Sequence, residues 1–196
     1  MKYHKDGRVR VMMPAVGVAA LTEHLSTAKS YLEYGSGGST ILAVELGVSV
    51  ITAVETCKPF LDEVVAKANS MPYSGTFNPI WVDVGPTGNC GRPTDMSFKD
   101  QWPVYQDVGW NLGISPDVIL VDGRFRVSSF CTSFLNATPG TTVLFDDYVP
   151  RPQYYVVEKI AKPIATHGRM LEFVVPETFD RELCTKIRDK YLLKYT

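Results

Sequence analysis

The sequence lacks several features that would assign a chain to a class at once. Its 20 lysines and arginines and 21 aspartates and glutamates leave a net charge of −1. The basic residues are scattered, so no surface for nucleic acid is expected. The first eight residues are polar, unlike a signal peptide, and no apolar run approaches the roughly 20 residues that span a bilayer. These absences favour a cytoplasmic protein that binds neither nucleic acid nor a membrane.

Metal-binding and hydrolytic motifs are also missing. The four cysteines are far apart and form no CxxC pair, which is typical of reduced thiols in the cytoplasm. His4, His24 and His167 are dispersed and have no acidic partner nearby in the sequence. A zinc site is therefore not expected, and we interpret each histidine as structural or solvated. No G-x-S-x-G elbow is present, which disfavours a hydrolase.

Short β-branched or apolar runs alternate with helical segments along the chain. Strands are predicted over 30–33, 48–55, 79–84, 117–122 and 141–145, helices over 39–46, 59–69, 125–137, 152–160 and 180–193, and a hairpin over 164–175. Such alternation predicts βαβ units around a parallel sheet. The expected fold is α/β: one doubly wound, Rossmann-like domain over 1–196, with a mostly parallel seven-stranded sheet, a C-terminal antiparallel hairpin strand and an N-terminal helical extension over 1–28.

A glycine-rich turn follows the first predicted strand, in the run Glu33-Tyr34-Gly35-Ser36-Gly37-Gly38-Ser39-Thr40. Its glycines let the backbone approach a ligand closely, and the next helix adds free amides and a positive dipole end. Glu55 ends the second strand about 20 residues later, where a carboxylate accepts both hydroxyls of a ribose. This pattern predicts a site for a nucleoside-containing ligand. The alternative is a plain tight turn beside a solvated charge.

The acid before the first glycine distinguishes two kinds of nucleoside site. A dinucleotide site uses G-x-G-x-x-G, whereas Glu33 would repel a pyrophosphate and can orient a cationic or amino-acid-bearing ligand. The run resembles the first motif of class I S-adenosylmethionine-dependent methyltransferases, acid-x-Gly-x-Gly-x-Gly, with Ser39 in place of the third glycine. Segments 54–55, 121–127 and 144–148 occur in the matching order. Over residues 30–160 the chain is similar to small bacterial methyltransferase-like proteins.

This resemblance implies a set of residues that bind S-adenosylmethionine: Glu33, Tyr34, Gly35, Ser36, Gly37, Ser39, Thr40, Glu55, Asp83, Asp122 and Gly123. Within that set Glu55 would hold the ribose hydroxyls, and Asp83, at the end of the third strand, would hold the adenine amino group. Asp83 has a second interpretation, as a turn-forming residue before Gly85.

Three carboxylates follow the fourth and fifth strands, and we expect Asp122, Asp146 and Asp147 to converge at one edge of the sheet. An all-oxygen cluster favours Mg²⁺, and the arrangement resembles catechol-type O-methyltransferases, where such residues would be metal ligands. Asp122 and Asp146 are the candidate catalytic bases. Arg124 stands about where those enzymes have a lysine base, and arginine stays protonated. The arginines at 124 and 126 would instead pair with the carboxylates or clamp an acidic substrate.

We therefore expect an S-adenosylmethionine-dependent methyltransferase that acts on a small molecule, at a hydroxyl oxygen, as a single chain or a homodimer. One alternative is a catalytically silent cofactor-binding or accessory domain. Another is an NAD(P)-dependent oxidoreductase, which the turn and Glu55 permit but Glu33 and the missing Tyr-x-x-x-Lys pair disfavour. The loop over 85–103 is either a lid or an ordinary surface loop.

Overall fold

The computed structural model of the protein describes residues 10–195, which form helices packed on both sides of a seven-stranded sheet. The strands are β1 (Ser30–Tyr34), β2 (Val50–Glu55), β3 (Thr76–Trp81), β4 (Val118–Val121), β5 (Thr142–Phe145), β6 (Ala165–His167) and β7 (Met170–Val174). Their order is β3-β2-β1-β4-β5-β7-β6. The first five strands are parallel, and β7 is antiparallel to both β5 and β6. The predicted α/β fold with a terminal antiparallel hairpin is confirmed.

Helices cover the two faces of this sheet. They are α1 (Ala15–Thr27), α2 (Gly38–Glu45), α3 (Lys58–Asn69), α4 (Val104–Asp107), α5 (Arg126–Asn136) and α6 (Arg181–Tyr191). The first three share one apolar cluster and the last three share a second. Side chains of β4 alternate between them, with Val118 and Leu120 in the first cluster and Ile119 and Val121 in the second. All four are buried, as expected of a strand covered on both faces.

The sheet order reverses between β1 and β4. Chain connections run outward from β1 to β2 and β3 on one side, and then return to β4 and β5 on the other. In open α/β sheets a crevice forms at this point, beyond the carboxyl ends of the strands, because the connections leave in opposite directions. The glycine turn and Asp122 both follow strands that flank this crevice.

The predicted bounds of the third strand need correction. The third strand spans Thr76–Trp81 rather than 79–84, with Pro79 inside it. Proline cannot donate to a ladder, but β3 pairs only with β2, so this edge strand tolerates it. The helix predicted over 152–160 is present as a 3₁₀ helix over Pro152–Lys159. The short α4 lies in a stretch for which no element was predicted.

The N-terminal helix α1 lies within the extension predicted over 1–28, and residues 1–9 of that extension, including His4, are outside the described part of the chain. Its Leu21 and Leu25 are buried against the sheet. Among the helices of residues 10–195, none is long and apolar enough to cross a membrane.

Candidate functional site

A cavity of about 630 Å³ opens at the carboxyl ends of β1, β2, β4 and β5. Its volume is typical of small-molecule sites. Of the residues predicted from the sequence, the structure brings to its wall Gly35, Ser36, Gly37, Ser39, Glu55, Asp122, Gly123 and Asp147. The sheet therefore gathers residues from the turns after four different strands around one space.

Other lining residues were not predicted. They are Arg10, Val11, Met12, Gly38, Cys57, Phe60, Cys90, Gly91, Arg151 and Arg169, together with Arg124 and Arg126, which were considered only as partners of acids or of a substrate. Most come from segments without a motif, so the sequence offered no signal for them. Gly38 lies within the glycine-rich run, and the arginines at 124 and 126 lie in the segment 121–127. Arg151 is four residues from Asp147, the spacing of an ion pair on a helical turn.

Two glycines let the turns after β1 and β4 touch. Gly35 has φ 97°, a value that side chains rarely adopt. A Cβ atom on Gly35 would lie 2.6 Å from the Gly123 Cα, and one on Gly123 would lie 2.8 Å from the Gly35 backbone nitrogen. The Gly35 N–H donates to the Val54 carbonyl at 2.8 Å. Only glycine fits at both positions, and the contact leaves backbone exposed at the cavity wall.

Glu33 shapes the glycine turn from beneath rather than lining the cavity. It is fully buried and accepts hydrogen bonds from the hydroxyls of Ser39 and Thr40, the latter at 2.7 Å. Thr40 Oγ1 in turn accepts the Gly37 N–H at 2.9 Å. Burial raises the pKa of Glu33 to about 8, although the two hydroxyls lower it. Glu33 and Thr40 therefore hold the turn in place.

Two further residues predicted at the cofactor lie elsewhere. Tyr34 is buried in the second apolar cluster, where its hydroxyl donates to the Gln106 carbonyl at 2.7 Å and accepts from Trp110 Nε1 at 2.8 Å. Asp83 lies two residues beyond β3 and accepts the Gly85 N–H at 2.9 Å. It lines a smaller, separate pocket beside Trp81. Its geometry is that of the turn-forming aspartate considered as the alternative.

Glu55 presents its carboxylate at the cavity wall in a fixed orientation. Its Oε2 accepts the Ser36 N–H at 3.1 Å, and its Oε1 accepts the N–H groups of Thr56 at 2.7 Å and Cys57 at 2.9 Å. Burial raises the pKa of Glu55, while the amides of Cys57 and Thr56 stabilise its ionised form. The hydroxyls of Ser36, at 3.4 Å, and Thr56, at 3.2 Å, also approach its oxygens. A carboxylate has about four acceptor positions, so a ligand hydroxyl would take the place of these longer contacts.

Arginines neutralise the acids at the ends of β4 and β5. Arg126, which is nearly fully buried, pairs with Asp122 at 3.0 Å and with Asp147 at 3.4 Å. Arg151 pairs with Asp147 at 2.9 Å. The ion network considered from the sequence therefore exists, but Arg124 has no ion pair within the described residues.

Asp146 lies behind the cavity wall rather than in it. It is fully buried, and its Oδ2 lies 2.6 Å from Arg169 Nη2 while Arg169 Nε approaches both carboxylate oxygens. Arg169 also reaches Asp147 at 3.0 Å and donates to the Met12 carbonyl at 2.7 Å. Sequence reasoning missed Arg169 because it lies on the turn between β6 and β7, 23 residues from Asp146.

The three acids converge as expected, but their surroundings do not fit Mg²⁺. One oxygen from each of Asp122, Asp146 and Asp147 lies within 4.8 Å of the others. Each carboxylate, however, already faces a guanidinium. A cation at the centre would have to displace those arginines, so the cluster does not fit a metal ion.

Asp122 lies at the cavity and has a raised pKa. Its side chain lines the cavity and is 26% exposed. Burial raises the pKa of Asp122 to about 7; Arg126 opposes the shift, and Asp146 and Asp147 add to it. A carboxyl that titrates near neutral pH can both accept and release a proton under ordinary conditions.

Strained backbone conformations also concentrate here. Within residues 10–195, positive φ occurs outside glycine at Cys90 (56°), Phe125 (53°) and Asp147 (56°). Cys90 and Asp147 line the cavity, and Phe125 follows Arg124, which also lines it. Such conformations persist where the surrounding structure enforces them, and they cluster at functional sites.

The loop over 85–103 contributes to the site and to the core. A Cβ atom on Gly91 would lie 3.0 Å from Glu55 Oε1, and the Thr56 hydroxyl donates to the Gly91 carbonyl at 2.7 Å. At the other end of the loop, Trp102 is buried and its Nε1 donates to the Val84 carbonyl at 2.9 Å. The loop thus lies on the Glu55 side of the cavity, and a lid and an ordinary surface loop both stay open as interpretations of it.

Two of the histidines have an acidic partner that the sequence did not suggest. Glu172 on β7 pairs with His24 on α1 at 3.2 Å and with His167 on β6 at 2.7 Å. Burial alone would raise the pKa of Glu172, but the hydrogen bonds from these histidines lower it. Neither histidine lines the cavity, which agrees with the interpretation of both as structural residues.

Comparison with known proteins shows which fold the chain has and which family it belongs to. No family model matches the sequence, and no curated protein matches it. Among solved structures, a methyltransferase-like protein from Silicibacter pomeroyi is 33% identical, with 95% of this chain and 98% of that chain covered and a TM-score of 0.85. An RNA methyltransferase from Salinibacter ruber, in complex with S-adenosyl-L-homocysteine, is 15% identical, with 88% and 99% covered and a TM-score of 0.50. The second similarity shows the fold alone.

The strand order and the glycine turn at the switch point define a Rossmann-like, class I methyltransferase fold. The chain belongs to the bacterial methyltransferase-like proteins of this superfamily. The resemblance seen in the motifs is confirmed.

Proposed function

We propose that the chain binds S-adenosylmethionine in the 630 Å³ cavity and transfers its methyl group to a hydroxyl oxygen of a small molecule. One observation carries the proposal. The close contact between Gly35 and Gly123 and the oriented carboxylate of Glu55 lie at the wall of the same cavity. The contact exposes backbone for close approach to a ligand, and Glu55 is the acceptor for ribose hydroxyls. When bound, the cofactor supplies an electrophilic methyl group.

The chain's own residues would bind the cofactor, align it with the acceptor and deprotonate the acceptor hydroxyl. The turn over 35–39 holds the amino-acid end of the cofactor, and alignment of its methyl group with the acceptor oxygen lowers the barrier to an in-line displacement. Asp122 accepts the proton of the acceptor hydroxyl, since it faces the cavity and its pKa is about 7. Asp146 is left as a support, because Arg169 engages its carboxylate. No step requires a metal.

The first test is calorimetric titration of S-adenosylhomocysteine into wild type and Glu55→Ala. We expect micromolar affinity for wild type, about −8 kcal/mol, and at least a tenfold loss in the variant, because two ribose hydroxyls lose their acceptor. Glu45→Ala removes an exposed glutamate at the end of α2 and serves as the matched control. Equal affinity in all three proteins would remove Glu55 from the site.

The same titration distinguishes the alternatives. Binding of NAD(P)⁺ in place of S-adenosylhomocysteine would favour the oxidoreductase. Tight cofactor binding without methylation of any acceptor in a cell extract would favour the silent accessory domain.

The proposed base makes a prediction about pH. A base must be ionised, so kcat should rise with pH through about 7, the pKa of Asp122, and level above it. Asp122→Asn should lower kcat by about 10²–10⁴-fold and abolish the rise of kcat with pH. Asp100→Asn, at an exposed position, is the control. An unchanged profile in the Asp122 variant would assign the proton transfer to another group.

A further inference from the structure

The cavity carries more positive charge than its acids can balance. Its wall includes five arginines, at positions 10, 124, 126, 151 and 169, against three carboxylates, Glu55, Asp122 and Asp147. Counting Asp146 behind the wall still leaves one excess cation. The proposed cofactor carries a positive sulfonium beside a zwitterionic amino acid, so its binding increases the excess. A cleft lined by an excess of one charge favours a ligand of opposite sign.

The excess is localised on two of these arginines. The arginines at 126, 151 and 169 each pair with an aspartate of the cluster. Within the described residues, Arg10 and Arg124 have no ion pair. Arg124 Nε is also buried and has no hydrogen-bond partner. A buried guanidinium N–H without an acceptor is costly, unless a ligand supplies the acceptor.

The fold fixes Arg124 in this place. The next residue toward the C-terminus, Phe125, is fully buried and has a positive φ. Its ring centroid lies 5.6 Å from that of Trp102 and 5.5 Å from that of Tyr105. On the other side Gly123 lies against Gly35. Because both neighbours are anchored inward, the side chain between them is presented to the cavity, two residues from Asp122.

We propose that the methyl acceptor carries an anionic oxygen group, a phosphate or a carboxylate, that Arg124 binds with support from Arg10 at the cavity mouth. This inference rests on the proposed function. Arg124 shares a turn with the proposed base, so an anion bound there would bring a hydroxyl of the same molecule to Asp122. Guanidinium groups suit phosphate and carboxylate because their N–H donors match two oxygens at once.

The test is calorimetric titration of pyrophosphate, and separately of citrate, into protein saturated with S-adenosylhomocysteine at constant ionic strength. Arg124→Gln should weaken binding of the preferred anion at least tenfold and leave the affinity for S-adenosylhomocysteine unchanged. Arg188→Gln removes the same charge on α6, away from the cavity wall, and should change neither. Tighter binding of pyrophosphate assigns a phosphate-bearing acceptor, and tighter binding of citrate assigns a carboxylate.

Four results would overturn the proposal. Failure of both anions to bind wild type, or equal weakening by the two variants, would show that no site is built around Arg124. A loss of S-adenosylhomocysteine affinity in Arg124→Gln would assign this arginine to the cofactor's own carboxylate and leave the proposed function intact. No binding of S-adenosylhomocysteine to wild type would overturn the proposed function and this inference together.

Discussion

Glu33 is a buried acid whose environment favours its neutral form. It is fully buried beneath the glycine turn, and its pKa of about 8 compares with 4.5 for an ordinary glutamate. The folded protein therefore binds this proton more tightly than the unfolded chain. Its contribution to stability is fully present below about pH 4.5 and is lost as the pH rises to about 8. Each pH unit in this window costs at most about 1.4 kcal/mol.

Glu33→Gln should therefore flatten the pH dependence of folding, since glutamine resembles the neutral acid and cannot ionise. Urea unfolding between pH 5 and 8 measures the effect, with Glu45→Gln as an exposed control. The pKa of Asp122 is also raised, so the unfolding free energy of Glu33→Gln will still fall somewhat with pH. Parallel slopes in wild type and Glu33→Gln would mean that Glu33 is ionised in the folded protein.

The contact between the turns after β1 and β4 depends on glycine at both positions. Gly35→Ala would combine a strained φ of 97° with a Cβ 2.6 Å from Gly123, so either turn must shift. Gly47 is a matched control because its φ is 71° with no atom within 4 Å of an added Cβ.

We expect Gly47→Ala to cost about 1–2 kcal/mol of unfolding free energy, the strain of the backbone alone. Gly35→Ala should cost more than about 3 kcal/mol and abolish S-adenosylhomocysteine binding. Urea denaturation and calorimetry check both effects. Similar losses for the two variants would show that backbone strain, not the close approach, dominates at Gly35.

Across the whole molecule, Arg169 connects the hairpin, the sheet and the N-terminal segment. It pairs with buried Asp146 after β5 and donates to the Met12 carbonyl. Arg169→Gln should cost about 2–4 kcal/mol, somewhat less than loss of a fully buried partner, since Arg169 is partly exposed.

Adding Asp146→Asn to that variant should recover part of the loss, because the unpaired charge disappears. Chemical denaturation of the two single variants and the double variant measures the coupling. Additive losses would show that the two side chains act independently, and stabilisation by Mg²⁺ in Arg169→Gln alone would show that the arginine occupies a latent cation site.

The sequence by itself determined the fold class and the strand ends that form the cavity. Alternation of apolar strands with helices is a local pattern, and the turn over 35–39 with Glu55 identifies the switch point because parallel strands share one carboxyl edge. The first and last residues of β3 were less predictable, since only the position of this strand at the edge of the sheet makes Pro79 acceptable.

Only the tertiary structure decided which predicted residues face the cavity. Glu33, Tyr34 and Asp83 lie on the expected strands or turns, but side-chain direction and long-range partners turn them away. Arg10 and Arg169 come from distant parts of the chain and reach the same wall. The pairs Asp122–Arg126 and Asp147–Arg151 have a local spacing of four residues, whereas the pairing of Asp146 with Arg169 depends on a distance that no local pattern encodes. Within the described residues, Arg124 is left at the same wall without an ion pair.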